Sequence, residues 1–112
     1  MFNFLRQSPT NVKRISPIET KELMEKNKNI KLLDVRTKEE YKTGHISGAV
    51  VLPNELINER NLSIIPDKEQ TIIVYCQSGG RSSQAASKLS KLGYSKVYDL
   101  GGIMNWPYNI EK

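Results

Sequence analysis

Apolar residues gather in short runs separated by polar, turn-forming stretches, and several of the runs have the composition of buried strands. Thr71-Ile72-Ile73-Val74-Tyr75 is a continuous β-branched and aromatic segment, the strongest strand signal in the chain, and it stops at Cys76. Ile30-Lys31-Leu32-Leu33-Asp34-Val35 predicts another strand, Ala49-Val50-Val51-Leu52 a brief one closed by Pro53, and Lys96-Val97-Tyr98-Asp99 a last short one. Between these runs the spacing turns helical. Ser16-Pro17-Ile18-Glu19 has the form of a capping box with proline at the first helical position, which predicts a helix from about Pro17 to Lys26. Thr37-Lys38-Glu39-Glu40 is a second capping box, opening a short helix that Gly44 would end in a left-handed cap. Glu55 to Asn61 is a weaker helix candidate ahead of Pro66. From Ser82 onward, Ala85, Ala86, Leu89 and Leu92 recur at helical spacing as far as Gly93. Such alternation predicts an α/β fold with a mainly parallel central sheet covered by helices. In folds of this kind functional groups sit beyond the carboxyl ends of strands, where Cys76 lies.

At 112 residues the chain has room for one domain, expected to span residues 1–112. Its composition, 38% hydrophobic and 26% charged, is that of an ordinary soluble globular protein. No apolar run approaches the roughly 20 residues of a membrane-spanning helix, and Met1 to Arg6 lacks the apolar stretch of a signal peptide, so a cytoplasmic location is the expectation. Phe2, Phe4 and Leu5 are expected to fold back on the domain, contact with a membrane surface or a partner being the alternative. One cysteine excludes an internal disulfide, and one histidine excludes the familiar zinc sets, so no metal and no cofactor is expected. The net charge of +5 is spread among interleaved acidic residues. It would attract small anions, but the dense basic stripe with stacking aromatics that nucleic-acid binding requires is missing.

The chemistry concentrates in one segment: a strand, then Cys76-Gln77-Ser78-Gly79-Gly80-Arg81, then the start of a helix. Glycines let the backbone curl so that several N–H groups point into one cup, and the helix N-terminus adds its partial positive charge. Such a cup favours an anion. A thiolate at its centre would be stabilised by those donors and by the Arg81 guanidinium, which makes Cys76 a candidate nucleophile. Taken without the glycines and the arginine, Cys76 reads equally well as one more small buried residue at a strand end.

Three separated blocks carry a family resemblance. The first is Asp34-Val35-Arg36 with Glu40-Tyr41 and Gly44-His45-Ile46-Ser47-Gly48-Ala49; the second is the cysteine loop followed by Ser82 and Ala85-Ala86; the third is Asp99-Leu100-Gly101-Gly102 with Trp106. In order and spacing these blocks, from about Ser16 to Trp106, resemble a rhodanese domain, which leaves short tails outside the match. The resemblance implies a three-layer fold, a central mainly parallel sheet with helices on both faces, and a sulfur-carrying cysteine at the position of Cys76. It also separates two chemistries by loop length. Sulfurtransferases of the family have a six-residue loop counted from the cysteine, whereas the related phosphatases and arsenate reductases have one residue more. Cys76 to Arg81 is the shorter form, so the loop is expected to hold a persulfide.

The expected mechanism follows from these parts, with the family supplying the substrate class. The Cys76 thiolate attacks the sulfane sulfur of a donor such as thiosulfate, backbone N–H groups from Gln77 to Ser82 hold the resulting persulfide, and a thiol or cyanide removes the sulfur. Arg81 is expected to bind the anionic donor, with a structural clamp on the loop as the other reading. Gln77 departs from members that have a basic residue directly after the cysteine, which favours a thiol persulfide or a sulfur-relay protein over free thiosulfate as donor. Asp34, Arg36 and Glu40 are expected to act as structural support, Arg36 and Glu40 as an ion pair fixing the turn after the strand, and His45 as a hydrogen-bonded loop residue. Trp106 is expected to pack a terminal helix against the sheet; Tyr75, Tyr94 and Tyr98 need no functional explanation. The partners implied are a small-molecule sulfur donor and a thiol acceptor, with no nucleic acid and no membrane, for a monomer or weak dimer. A non-catalytic binding or sensor module is the rival from another class.

Overall fold

The computed structural model describes residues 12–112; the expectation for Phe2, Phe4 and Leu5 lies outside them. Among the described residues, five parallel strands form the main sheet in the order β1-β6-β5-β2-β4. They are β1 (Val12–Arg14), β2 (Lys31–Asp34), β4 (Val50–Val51), β5 (Ile72–Cys76) and β6 (Val97–Gly102). β5 lies at the centre, buried at every position, because its unbroken apolar run has two faces to cover.

Alternation along β5 divides the core. Ile72, Val74 and Cys76 join one cluster with Leu33, Val35, Leu52, Ile65, Ala85, Ala86 and Leu89, beneath helix α3 (Gly80–Lys91). Ile73 and Tyr75 join the other with Leu32, Ile46 and Leu100, packed by Leu23 and Met24 of α1 (Pro17–Lys26) and Tyr41 of α2 (Lys38–Thr43). Helices thus cover both faces, as the three-layer expectation required. Burying each such aliphatic side chain contributes about 1.5–3 kcal/mol before entropy is counted.

Both capping boxes form. Ser16 Oγ accepts from Glu19 N–H at 3.1 Å while Glu19 accepts from Ser16 N–H at 2.9 Å. Thr37 and Glu40 repeat the exchange at 3.1 and 3.0 Å. Gly44 does follow α2, but at φ 145° and ψ 133°, an extended positive-φ bend in place of the expected left-handed cap. The bend turns the chain straight into β3 (His45–Ile46), which pairs antiparallel with β7 (Ile110–Glu111). The candidate helix over Glu55 to Asn61 shrinks to a 3-10 turn, Asn54–Leu56. Likewise, no terminal helix precedes Trp106. A 3-10 turn, Ile103–Asn105, takes its place; Trp106 packs against the second cluster, and its indole N–H donates to Asn109 O at 3.3 Å. No helix among the described residues is long and apolar enough to cross a membrane.

Candidate functional site

Cys76 ends the central strand, and within three residues the chain has turned into α3. The turn depends on Gly79, whose left-handed conformation (φ 111°, ψ −19°) a residue with a Cβ adopts only at a cost. It aims the Gly79 N–H at the Cys76 Sγ, 3.0 Å away, and sets the first turn of α3 so that the Ser82 N–H reaches the same sulfur at 3.3 Å. Ser82 Oγ locks the curl by donating to Gly79 O at 3.0 Å. Of the donors expected between Gln77 and Ser82, these two main-chain groups hold the sulfur. Cys76 itself is only 1% exposed, whereas Gln77, Ser78 and Gly80 around it face solvent. The sulfur therefore sits at the floor of the cup.

Beneath the loop lies the end of β6. A Cβ on Gly102 would fall 2.6 Å from Gln77 O and 3.0 Å from Ser78 Cα, so only glycine lets the strand support the loop from below. The Gly101-Gly102 doublet at a strand end is the sequence signal of this close approach. Gly101, at φ 92°, follows the irregularity at which β6 slips one residue against β5, Val74 pairing with Asp99 but Tyr75 with Gly101. A cleft of about 520 Å³ opens alongside, lined in part by Arg14, Ser78, Gly79 and Ser83.

The predicted support residues are brought together, but in a different pairing. Arg36 does not pair with Glu40. Its Nε donates to both Asp34 oxygens at 3.0 and 3.1 Å, one terminal nitrogen to Asp34 Oδ2 and Gly44 O, each at 2.7 Å, and the other to Gln77 Oε1 at 3.3 Å. The physical reason is the sharp turn after β2, which also brings the Arg36 N–H to Asp34 Oδ1 at 3.0 Å and folds the side chain back onto its neighbour's carboxylate. One buried guanidinium thereby joins β2, the end of α2 and the cysteine loop. Tyr75 completes the cluster: its hydroxyl donates to Asp34 Oδ2 at 2.8 Å and accepts the Ile46 N–H at 3.0 Å. Burial pushes its phenol well above the ordinary value.

Glu40 pairs instead with Arg81, reached at 2.6 and 3.0 Å by both terminal nitrogens. Hydrogen bonds from Arg81 hold its carboxyl down at about 2; partial burial opposes them, and contacts from Thr37 add to them. The same pairing raises the pKa of Arg81. His45 is hydrogen-bonded as expected, one ring nitrogen 2.9 Å from Tyr41 O and the ring stacked on Tyr41 with centroids 3.7 Å apart, but it opens strand β3 and does not lie in a loop.

Such a site offers one sulfur atom and two inward-pointing main-chain donors, with a buried arginine–carboxylate pair and a half-exposed one beside the loop. Known proteins share its plan. The family described as Rhodanese-like domain matches residues 16–108. The chain is 41% identical over 71 residues to thiosulfate sulfurtransferase PspE of Escherichia coli, which covers 63% of this chain and 68% of that protein. It is 37% identical over 95 residues to thiosulfate sulfurtransferase GlpE of Coxiella burnetii, covering 84% of this chain and 86% of the other. A solved structure of a rhodanese with anions from E. coli superposes with a TM-score of 0.69 at 36% identity, covering 74% of this chain and 98% of that one. Some other relatives are longer, and of two of them this chain spans 31% and 25%.

Proposed function

The chain belongs to the rhodanese-like domain family, and we propose that it is a sulfurtransferase that takes a sulfane sulfur onto Cys76 as a persulfide and passes it to a thiol or to cyanide. The observation that carries this reading is the pair of backbone N–H groups, from Gly79 and Ser82, converging on the Cys76 sulfur at the mouth of a helix. Two donors fixed by the main chain stabilise negative charge on sulfur without reorganising, as an oxyanion hole does for oxygen.

In the loading step the Cys76 thiolate attacks the outer sulfur of the donor, the donor's own S–S bond breaks, and its electron pair leaves as sulfite or as a thiolate. The outer sulfur then lies about 2 Å beyond Sγ, still within the six-residue loop that closes at Arg81. In the unloading step an acceptor thiolate or cyanide attacks that outer sulfur and Cys76 leaves as the thiolate. No proton need be removed by a side chain once the cysteine is ionised. With one cysteine among these 112 residues, the acceptor thiol must come from outside them.

Intact mass spectrometry tests this. Purified protein incubated with thiosulfate, or separately with a low-molecular-weight persulfide, is expected to gain one sulfur atom that cyanide removes, and Cys76→Ala is expected to gain none. No gain with either donor would sink the transferase reading and leave a docking or sensor module in its place.

A further inference from the structure

Two arginines flank the cysteine loop, and both are already engaged. All three side-chain nitrogens of Arg36 donate to Asp34, Gly44 or Gln77. Arg81, the arginine that closes the loop, gives both terminal nitrogens to Glu40. Nor is Glu40 a loosely held counterion. Its Oε1 also accepts from the Thr37 N–H at 3.0 Å and from Thr37 Oγ1 at 3.2 Å, so the carboxylate is anchored by the cap of α2 whether or not Arg81 is present. A second anion near Arg81 would have to share it with a fixed carboxylate.

We propose that Glu40 sets the donor class, holding Arg81 closed against small dianions so that the loop prefers a thiol persulfide to thiosulfate; this rests on the sulfurtransferase reading above. With thiosulfate, the attack expels sulfite, a dianion, while both terminal nitrogens of Arg81 are held by Glu40. With a thiol persulfide, R–S–SH, the Cys76 thiolate bonds to the outer sulfur, the R–S bond to that sulfur breaks, and RS⁻ leaves with the electron pair and takes up a proton from water. A single negative charge departs, and no oxidant or reductant is consumed. Gln77, neutral where a cation would help a dianion, adds to the same preference. Glu40 is therefore a positioning residue, acting on the donor through Arg81.

The test is Glu40→Gln, which preserves the capping box because glutamine serves equally at that position, yet removes the charge that holds Arg81. Initial rates with thiosulfate and with cysteine persulfide give the ratio of kcat/KM for the two donors. In Glu40→Gln this ratio is expected to rise about tenfold in favour of thiosulfate, chiefly through KM, the change one charge-assisted contact makes. Adding Arg81→Gln to the variant is expected to cancel the gain. An unchanged ratio in Glu40→Gln overturns the proposal; so does a thiosulfate KM that rises in Arg14→Gln and ignores Glu40, which would move the anion site to the cleft beside Gly101. If neither donor loads Cys76 in the wild type, the sulfurtransferase reading fails first, a result that intact mass distinguishes from an unchanged ratio.

Discussion

Two arginine–carboxylate pairs flank the same loop, and water reaches them very differently. In the Asp34–Arg36 pair the side chains are 0% and 4% exposed, and three further groups, Tyr75, Gly44 and Gln77, satisfy the remaining donors and acceptors. In the Glu40–Arg81 pair they are 33% and 36% exposed, at a comparably short contact of 2.6 Å. Distance alone would rank the two alike. Burial separates them, since a charge without its partner is tolerable in water and costly away from it. The inner pair is therefore scaffold, and the outer pair can be altered without unmaking the fold.

The sharpest way to break this comparison is Asp34→Ala, which leaves the Arg36 guanidinium buried without a counterion. A loss of about 3–5 kcal/mol is expected, measured by urea denaturation; a loss below about 1 kcal/mol would put the inner pair in the same class as the outer. Tyr75→Phe probes the same cluster more gently. It removes the donor to Asp34 and strands the Ile46 N–H, for an expected cost of about 1–3 kcal/mol, with the fold retained by circular dichroism. Glu40→Gln should change stability at neutral pH least, by less than about 1 kcal/mol.

Acid sharpens the contrast further. The Glu40 carboxyl lies near 2 in the folded protein against an ordinary value of 4.5, so between these values the unfolded chain binds the proton that the native one refuses. Its contribution is fully present above 4.5 and is lost as pH falls through about 2. Wild type is therefore expected to lose stability relative to Glu40→Gln over that interval, and parallel thermal melts across it would refute the assignment.

The parts of this fold legible in the sequence are those whose signal is local. Each capping box needs only four residues, and Ser16 with Glu19 and Thr37 with Glu40 both form as read. The central strand announces itself by five consecutive apolar residues. By contrast β3 and β7 have two residues each, too few for any period, and exist because β3 finds β7 some sixty residues away. The cysteine loop was legible because glycine, cysteine and arginine share one segment. The pairing of its neighbours was not: Glu40 meets Arg81 across a separation of 41 residues, and which of two nearby carboxylates an arginine takes depends on how the chain turns after β2. The role of Gly102 was hidden for a similar reason, because its neighbour is a loop 25 positions earlier in the chain.

That the sulfur is held by peptide groups, at Gly79 and Ser82, bears on how this protein can change over generations. A peptide N–H is inherited with almost any residue, so the exposed side chain of Ser78 is free to drift, provided the backbone keeps its seat against Gly102. New preferences for donor or acceptor can then arise by single substitutions at the rim while the reacting atom keeps its surroundings. One loop can in this way serve a lineage of proteins that differ in what they meet and agree in what they carry.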